Sequence, residues 1–376
     1  MGPARPLICI YVHALVATGV VRNARLIAAD LALAGHNVQL VTALPGGEGA
    51  AGVPHHALLP GVGHSRLREK ADAVIALHRH LRAHRPRLLI SAGNHGHGTV
   101  WAASRGIRGV KRLYRISNDI MRAIPTAPSG RWKRTGRVGM ARLIAADAAH
   151  LVLVSPTLSD TPAFDLAHRS GRVTVIANGI DRGSAQARIG DAAPHPWLGG
   201  DRPVLLAIGR LAPQKNFHTL LRAFALLRGH MPARLIILGE SRDDARARLM
   251  AQGQDLGIAD DLALPGTVAN VFPWLARCDA FVLPSWWEGS ANVLLEAMAV
   301  GAPCVASISA GNAAHLLDDG RYGRLVDPGD APAMAIAMAQ QLDRETRLYP
   351  GDRIDAFGMD AVTRSWRDVV ARLLGT

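Results

Sequence analysis

AFVLPSWWEGSANVLLEAMAVG, residues 280–301, is the stretch whose reading decides the fold. AFVLPS is an apolar run of strand length that stops at Ser285. Ser290 is a plausible cap for a helix that runs to Gly301, a residue type suited to the turn after a helix, with Pro303 just beyond. Strand, small-residue turn and helix in that order are the working part of a βαβ unit. Two glutamates bracket the turn: Glu288 lies before it and Glu296 lies within the helix. The segment Gly289-Ser290-Ala291-Asn292 offers backbone N–H groups at a helix N-terminus, where orphan donors and the positive dipole end favour a diphosphate. Small residues there allow close approach. Glu288 can accept hydrogen bonds from sugar hydroxyls, and Glu296, one turn past Asn292, can reach a ribose. The plainer reading is a capped helix with two incidental surface acids.

The same alternation extends in both directions. PVLLAIG, helix 216–229, ARLIILG, helix 243–257, LALPG and helix 270–277 precede it. PCVAS, helix 311–319, GRLV and further helical segments follow. The N-terminal part reads LICIYV, a helix ending at Gly35, HNVQLVTAL, helix 66–84, RLLIS, a helix near 98–105, KRLYRIS, helix 137–147, HLVLVS, helix 156–170 and RVTVIANG. Strands separated by helices imply parallel sheets. Asp181 to Pro203 carries no periodicity and reads as a linker.

The expected architecture is therefore α/β, with two doubly wound parallel-sheet domains facing a central cleft. Residues 1–181 would form the N-terminal domain, 182–202 the linker and 203–355 the C-terminal domain. The last helix, 356–376, would pack back on the N-terminal domain. In such sheets ligands sit beyond the carboxyl ends of the strands.

With 376 residues, two hydrophobic cores are expected. A content of 49% hydrophobic and 19% charged residues is that of a globular chain and excludes a disordered one. The net charge is +13, and only four of the basic residues are lysine. Anionic partners suit that balance, although a genome that writes Arg for Lys would produce much of it too. Cys9, Cys278 and Cys304 are far apart, with no metal-ligand spacing and no disulfide framework. A reducing cytoplasm fits them. No apolar run reaches the length of a spanning helix, and PLICIYVHALV is read as a first buried strand rather than a signal peptide.

A second candidate site opens the C-terminal domain. In AIGRLAPQKNF (207–217) Arg210 and Lys215 stand five apart on the loop before a helix, able to neutralise a diphosphate. Two solvated basic residues are the plainer reading, but lysine is too rare here for composition to explain Lys215.

GRLAPQKNF, LGES (238–241), PSWWEGSANVLLEAMAVGAPCVAS and DDGRYGRLVDPGD resemble, in order and spacing, the retaining glycosyltransferases of family 4, whose fold is GT-B. The glutamates match the E-x7-E motif of that family. The resemblance is dense over roughly 203–330 and continues more weakly through AGHNVQLVT, ATGVVRN and ANGID.

It implies a nucleoside-diphosphate-sugar donor, UDP- or GDP-linked, with no cofactor and no metal; the sequence has no Asp-x-Asp. By resemblance, Arg210 and Lys215 hold the donor diphosphate, Glu288 binds the transferred sugar and Glu296 the ribose. Gly289, Ser290, Ala291, Asn292, Val293 and Leu294 present backbone amides. The turn at Gly239 and the loop 266–271 with Val268 cradle the base, and Gly19 lies near the phosphates. The family often has a second glycine beside Gly19, a glutamate where His315 stands, and a histidine directly after the strand matched by RLLIS. Here His95 and His97 come a few residues later, and His95 is favoured as the one that contacts sugar or acceptor.

The acceptor implied is a glycan or lipid-linked sugar in bacterial surface polysaccharide or glycolipid assembly. In SRLREKADAVIALHRHLRAHRPR (65–87) Leu67, Ala71, Val74, Ile75 and Leu81 line one face and basic residues fill much of the rest. Such a helix can lie on an anionic membrane, at the inner face of the cytoplasmic membrane; more often it is a crossover helix with a solvated face. RWKRTGR (131–137), after turn residues 127–130, reads as a mobile basic loop. Rival functions are a nucleotide-sugar epimerase or hydrolase, a catalytically silent membrane-docking homologue, and a nucleic-acid-binding protein. The last lacks both a recognition motif and aromatic platforms.

Overall fold

The computed structural model describes residues 5–16, 18–62, 65–118, 131–241 and 243–375. The chain divides into two compact units. One takes the chain through Asn178 and again from Val362; the other spans Gly179–Ala361.

The first unit is built on seven strands: β1 Leu7–Val12, β2 Asn37–Thr42, β3 His55–Ala57, β4 Leu88–Ser91, β5 Lys111–Ile116, β6 His150–Leu153 and β7 Val173–Val175. Their order is β3-β2-β1-β4-β5-β6-β7, with every pairing parallel. β1, β4 and β6 are almost wholly buried, because helices cover both faces of the sheet and leave no polar side for alternation. One core layer packs Leu77, Val100 and Ile144 against one face. The other packs Ile27 and Leu31 against the opposite face, together with Trp366, Val369 and Val370 of the helix Met359–Leu374. Arg367 pairs with Asp30 and Lys111 Nζ donates to Leu373 O at 2.6 Å, so that helix is part of the first unit.

The second unit carries six strands: β8 Val204–Ile208, β9 Arg234–Leu238, β10 Leu262–Gly266, β11 Ala280–Leu283, β12 Cys304–Ser307 and β13 Arg324–Val326. Their order is β10-β9-β8-β11-β12-β13, again parallel. In both sheets the strand order reverses once, between β1 and β4 and between β8 and β11. At such a reversal the loops leaving two adjacent strands turn to opposite faces and open a crevice.

Several expectations need correction. Residues 182–202 are not a free linker. They begin with the helix Arg182–Ala187, and Arg277 donates to the carbonyls of Ile189 (3.4 Å), Gly190 (2.7 Å) and Asp191 (2.9 Å). His195 packs against Trp197 and Trp274. Periodicity is absent there because side chain-to-backbone bonds, not an amphipathic face, hold the segment.

Residues 131–137, expected as a loop, start the helix Arg131–Asp147; the turn read at 127–130 lies outside the described residues. Residues 156–170 split into two 3-10 turns and the helix Asp165–Arg169, because Pro156 and Pro162 each restart the chain. The helix Arg66–His84 buries Glu69, Ala73, Leu77, His80 and Leu81, leaving Leu67, Ala71 and Ile75 outside. Glu69 turns inward to meet His13 at 2.8 Å, and His80 meets Gln39 at 3.2 Å.

Candidate active site

The loops that leave β8 and β11 flank the reversal in the second sheet, and these loops carry the basic residues and the first glutamate of the sequence motifs. Lys215 Nζ lies 2.6 Å from Glu288 Oε1. Ser285 Oγ donates to the same oxygen at 2.7 Å, while Gln214 Nε2 donates to Glu288 Oε2 at 3.3 Å and to Trp287 O at 2.9 Å. Both partners are largely withdrawn from water: the Lys215 side chain is 16% exposed and that of Glu288 11%. A cation and a carboxylate are thus held side by side, each with its charge matched locally.

The backbone makes this approach feasible. A Cβ on Gly209 would stand 2.6 Å from Lys215 Cε, so only glycine lets the lysine cross the end of β8. At Gly239, with φ at +151°, a Cβ would meet Gly209 O at 1.9 Å; the ends of β8 and β9 touch there. Asn216 takes the left-handed conformation before the helix Phe217–Arg228, and its Nδ2 donates to Pro284 O at 3.0 Å and Pro328 O at 2.6 Å. One buried amide therefore ties the Lys215 loop to the Glu288 loop and to the loop after β13.

The helix Asn292–Ala299 starts one residue later than expected. Its cap position is Ala291, and Ser290 Oγ instead donates to Asn292 Oδ1 at 3.3 Å. Ala291 cannot use a side chain; its own N–H is taken by Asn312 Oδ1 at 2.8 Å. The N–H of Asn292 goes to Ser290 O at 2.9 Å and that of Leu294 to Ala291 O at 3.0 Å. Of the six amides expected to face a ligand, those of Ala291, Asn292 and Leu294 are thus engaged within the protein. Among the described residues those of Gly289, Ser290 and Val293 are not. Three donors at the positive end of a helix, beside a lysine and a carboxylate, match a phosphate carrying a polyhydroxylated group.

Two family profiles cover most of the chain. One described as Glycosyltransferase Family 4 matches residues 17–183, and one described as Glycosyl transferases group 1 matches residues 202–344. The chain belongs to glycosyltransferase family 4.

This family 4 chain is 33% identical over 177 residues to the lipopolysaccharide core biosynthesis glycosyltransferase LpsE of Rhizobium meliloti, a match covering 46% of the chain and 50% of LpsE. The chain spans about half the length of the curated relatives it matches. Among solved structures, sucrose-phosphate synthase from Thermosynechococcus elongatus aligns with a TM-score of 0.78 at 21% identity, covering 99% of the chain and 100% of that structure. Anabaena HepE in complex with UDP and glucose aligns with a TM-score of 0.74 at 21% identity, covering 98% and 100%. The two parallel-sheet units are those of the GT-B fold.

The remaining expected residues of the family 4 chain distribute as follows. Arg210 is exposed on the loop after β8 and Val268 is half-buried after β10, while Glu296 is half-buried in the helix Asn292–Ala299. Gly19 and His95 belong to the first unit, after β1 and β4, so they flank the reversal in that sheet. Gly19 begins the helix Gly19–Leu33, capped by Thr18.

His95 is exposed, whereas His97 is buried, with Nδ1 2.7 Å from Ser91 Oγ. Burial, reinforced by Arg115, pushes His97 down to about 3, so its imidazole is neutral. His315 stands edge-on to Phe357, and Arg353 donates to His315 O at 2.6 Å. At this position the chain uses an aromatic and backbone anchor.

Gln214, Ser285, Asn216 and Asn312 escaped the reading of the sequence. Their partners lie up to 112 residues away, and no periodic pattern announces such bonds.

Proposed function

We propose that this chain is a retaining, metal-independent glycosyltransferase that moves a sugar from a UDP- or GDP-sugar to a glycan or lipid-linked sugar acceptor in bacterial surface glycan assembly. The observation that carries the reading is the Lys215–Glu288 pair beside the free amides of Gly289, Ser290 and Val293, at the strand-order reversal of the second sheet. Lys215 and Arg210 supply positive charge to the donor diphosphate, the role a metal plays elsewhere. Glu288 accepts from hydroxyls of the transferred sugar, and Glu296 from the ribose. Gly239 and Val268 line the base, Gly19 approaches the phosphates, and His95 contacts sugar or acceptor.

In the transfer, the bond from the anomeric carbon to the leaving phosphate oxygen breaks. The acceptor oxygen bonds to that carbon on the same face, and its proton passes to the leaving phosphate. No protein nucleophile is then needed. The lipopolysaccharide role in the name of LpsE and the UDP in the HepE complex support the acceptor and donor classes.

The test is a thermal-shift screen against UDP, GDP, ADP and their sugar conjugates. A ligand bound only by the folded state adds about 2.7 kcal/mol at a hundredfold excess over its Kd. A shift with one nucleotide family identifies the base; no shift with any of them overturns the assignment of the donor site. Product analysis with and without acceptor then separates transfer from epimerisation or hydrolysis.

A further inference from the structure

The loops that leave β1 and β4 flank the strand-order reversal of the first sheet, and His13 stands at the end of β1. Neighbouring elements fix it there. The N–H groups of Ala43 and Leu44, just beyond β2, both donate to His13 O at 3.1 Å. Glu69, from the first turn of the helix Arg66–His84, holds the ring, with its Oε1 2.8 Å from His13 Nε2. The helix dipole favours a negative charge in that turn.

An ionised carboxylate can only accept, so Nε2 carries the proton of this bond. In the neutral ring the bond at one nitrogen sets the tautomer and leaves the other, Nδ1, as an acceptor. Among the described residues Nδ1 has no partner. The Glu69 side chain is 11% exposed and that of His13 23%, so the carboxylate is covered while the imidazole stays within reach of a ligand. His97, near the same reversal, differs: it is sealed in the core, and its Nδ1 is bonded to Ser91 Oγ.

We propose that His13 is an acceptor-binding residue: Nδ1 accepts a hydrogen bond from a hydroxyl of the acceptor sugar, and Glu69 is the positioning residue that fixes the tautomer and angle of the ring. The proposal rests on the transfer reading given above and concerns its acceptor end. A ring nitrogen held as an acceptor suits a hydroxyl, which can donate. A phosphate, itself an acceptor, has nothing to give it and would meet the Glu69 carboxylate behind it. The proton released in the transfer still goes to the leaving phosphate; His13 orients the sugar that supplies it. A purely structural ion pair would also give the 2.8 Å contact, and the two roles part in their response to acceptor.

The experiment compares the wild type with His13→Ala, Glu69→Ala and Glu69→Gln. The donor is the nucleotide sugar that gives the thermal shift; the acceptor probes are the octyl glycosides of glucose, galactose, mannose and N-acetylglucosamine. His13→Ala and Glu69→Ala should each lower kcat/KM for the acceptor roughly tenfold, the equivalent of one hydrogen bond, while the donor Kd stays at its wild-type value. Glu69→Gln keeps an oxygen for the Nε2–H and should recover most of the loss. His13→Phe with Glu69→Leu removes the pair without leaving a buried charge, so it tests the same loss where a single variant fails to fold. A lowered thermal midpoint with unchanged acceptor kinetics in the folded protein overturns the proposal. So does a wild type that binds donor and transfers to none of the glycosides. A wild type that binds no nucleotide overturns the transfer reading itself, and the proposal with it.

Discussion

Lys215 and Glu288, separated by 73 residues in sequence, form a 2.6 Å ion pair that closes across the ends of β8 and β11. In the proposed transfer a donor diphosphate would compete for that lysine. Its arrival would draw Lys215 toward phosphate and free a Glu288 oxygen for sugar hydroxyls, while Ser285 and Gln214 keep the carboxylate aimed. Lys215→Ala leaves a half-hidden carboxylate short of its cation, so it should cost about 1–3 kcal/mol of stability as well as transfer. The Lys215→Ala, Glu288→Ala double variant should regain part of the stability and none of the transfer. Denaturant midpoints and turnover on the four proteins of the cycle check this. Recovery of turnover in the double variant would remove both residues from the reaction.

Arg210 stands on the same loop but is exposed. Arg210→Ala should leave the thermal midpoint unchanged and lower turnover on the order of 100-fold, the usual loss when one donor to a developing charge is removed. Undiminished turnover would remove Arg210 from the mechanism.

The two glycines behind the pair should respond differently to one methyl group. Gly239→Ala drives a Cβ into Gly209 O, a backbone atom that cannot swing away, and should leave little folded protein. Gly209→Ala pushes on Lys215 Cε, the flexible part of a side chain. It should fold, with Lys215 displaced from Glu288 and transfer sharply reduced. Expression yield, circular dichroism and turnover distinguish the two. Equal behaviour would refute the crossing of β8 by Lys215.

The first unit should be the acid-sensitive one. Burial lowers His97 to about 3, with Arg115 adding to the effect. Burial lowers His80 to about 4, with His84 and His56 adding, and likewise His150 to about 4, with Arg372 and Arg172 adding. Between these values and the ordinary 6.5 the unfolded chain binds more protons than the folded one. The stability these neutral rings contribute is therefore complete above 6.5 and declines as pH falls toward 4. Hydrogen exchange at pH 7 and pH 5 should show β4 and β6 losing protection. Unchanged protection there would count against the buried neutral histidines.

The sequence made the architecture legible because parallel strands covered on both faces read as continuous apolar runs, as in LICIYV and AFVL. It also made Lys215 and Glu288 legible as separate candidate residues, since a rare lysine and an acid beside a small-residue turn both stand out locally. The bond between them was not legible, nor was the support from Ser285, Gln214 and Asn312, because tertiary hydrogen bonds obey no period. The face of the helix Arg66–His84 was legible in part: Leu67, Ala71 and Ile75 share the outside, but Leu81 is buried. Glu69 and His80 face inward because His13 and Gln39 satisfy them, which rotates Leu67 and Ile75 to the outside.

The helix Met359–Leu374 gives the two units unequal independence. Gly179–Ala361 is one uninterrupted segment whose entry and exit pair as neighbours, Ile180 beside Gly358. It can be cut out as a single piece. The first unit cannot, since its inner layer includes Trp366 and Val370 from the far side of that insert. A stop codon after residue 361 would thus spare the unit it adjoins and open the core of the other, leaving Ile27 and Leu31 bare to water and the folding of the N-terminal half dependent on residues made only after the whole second unit.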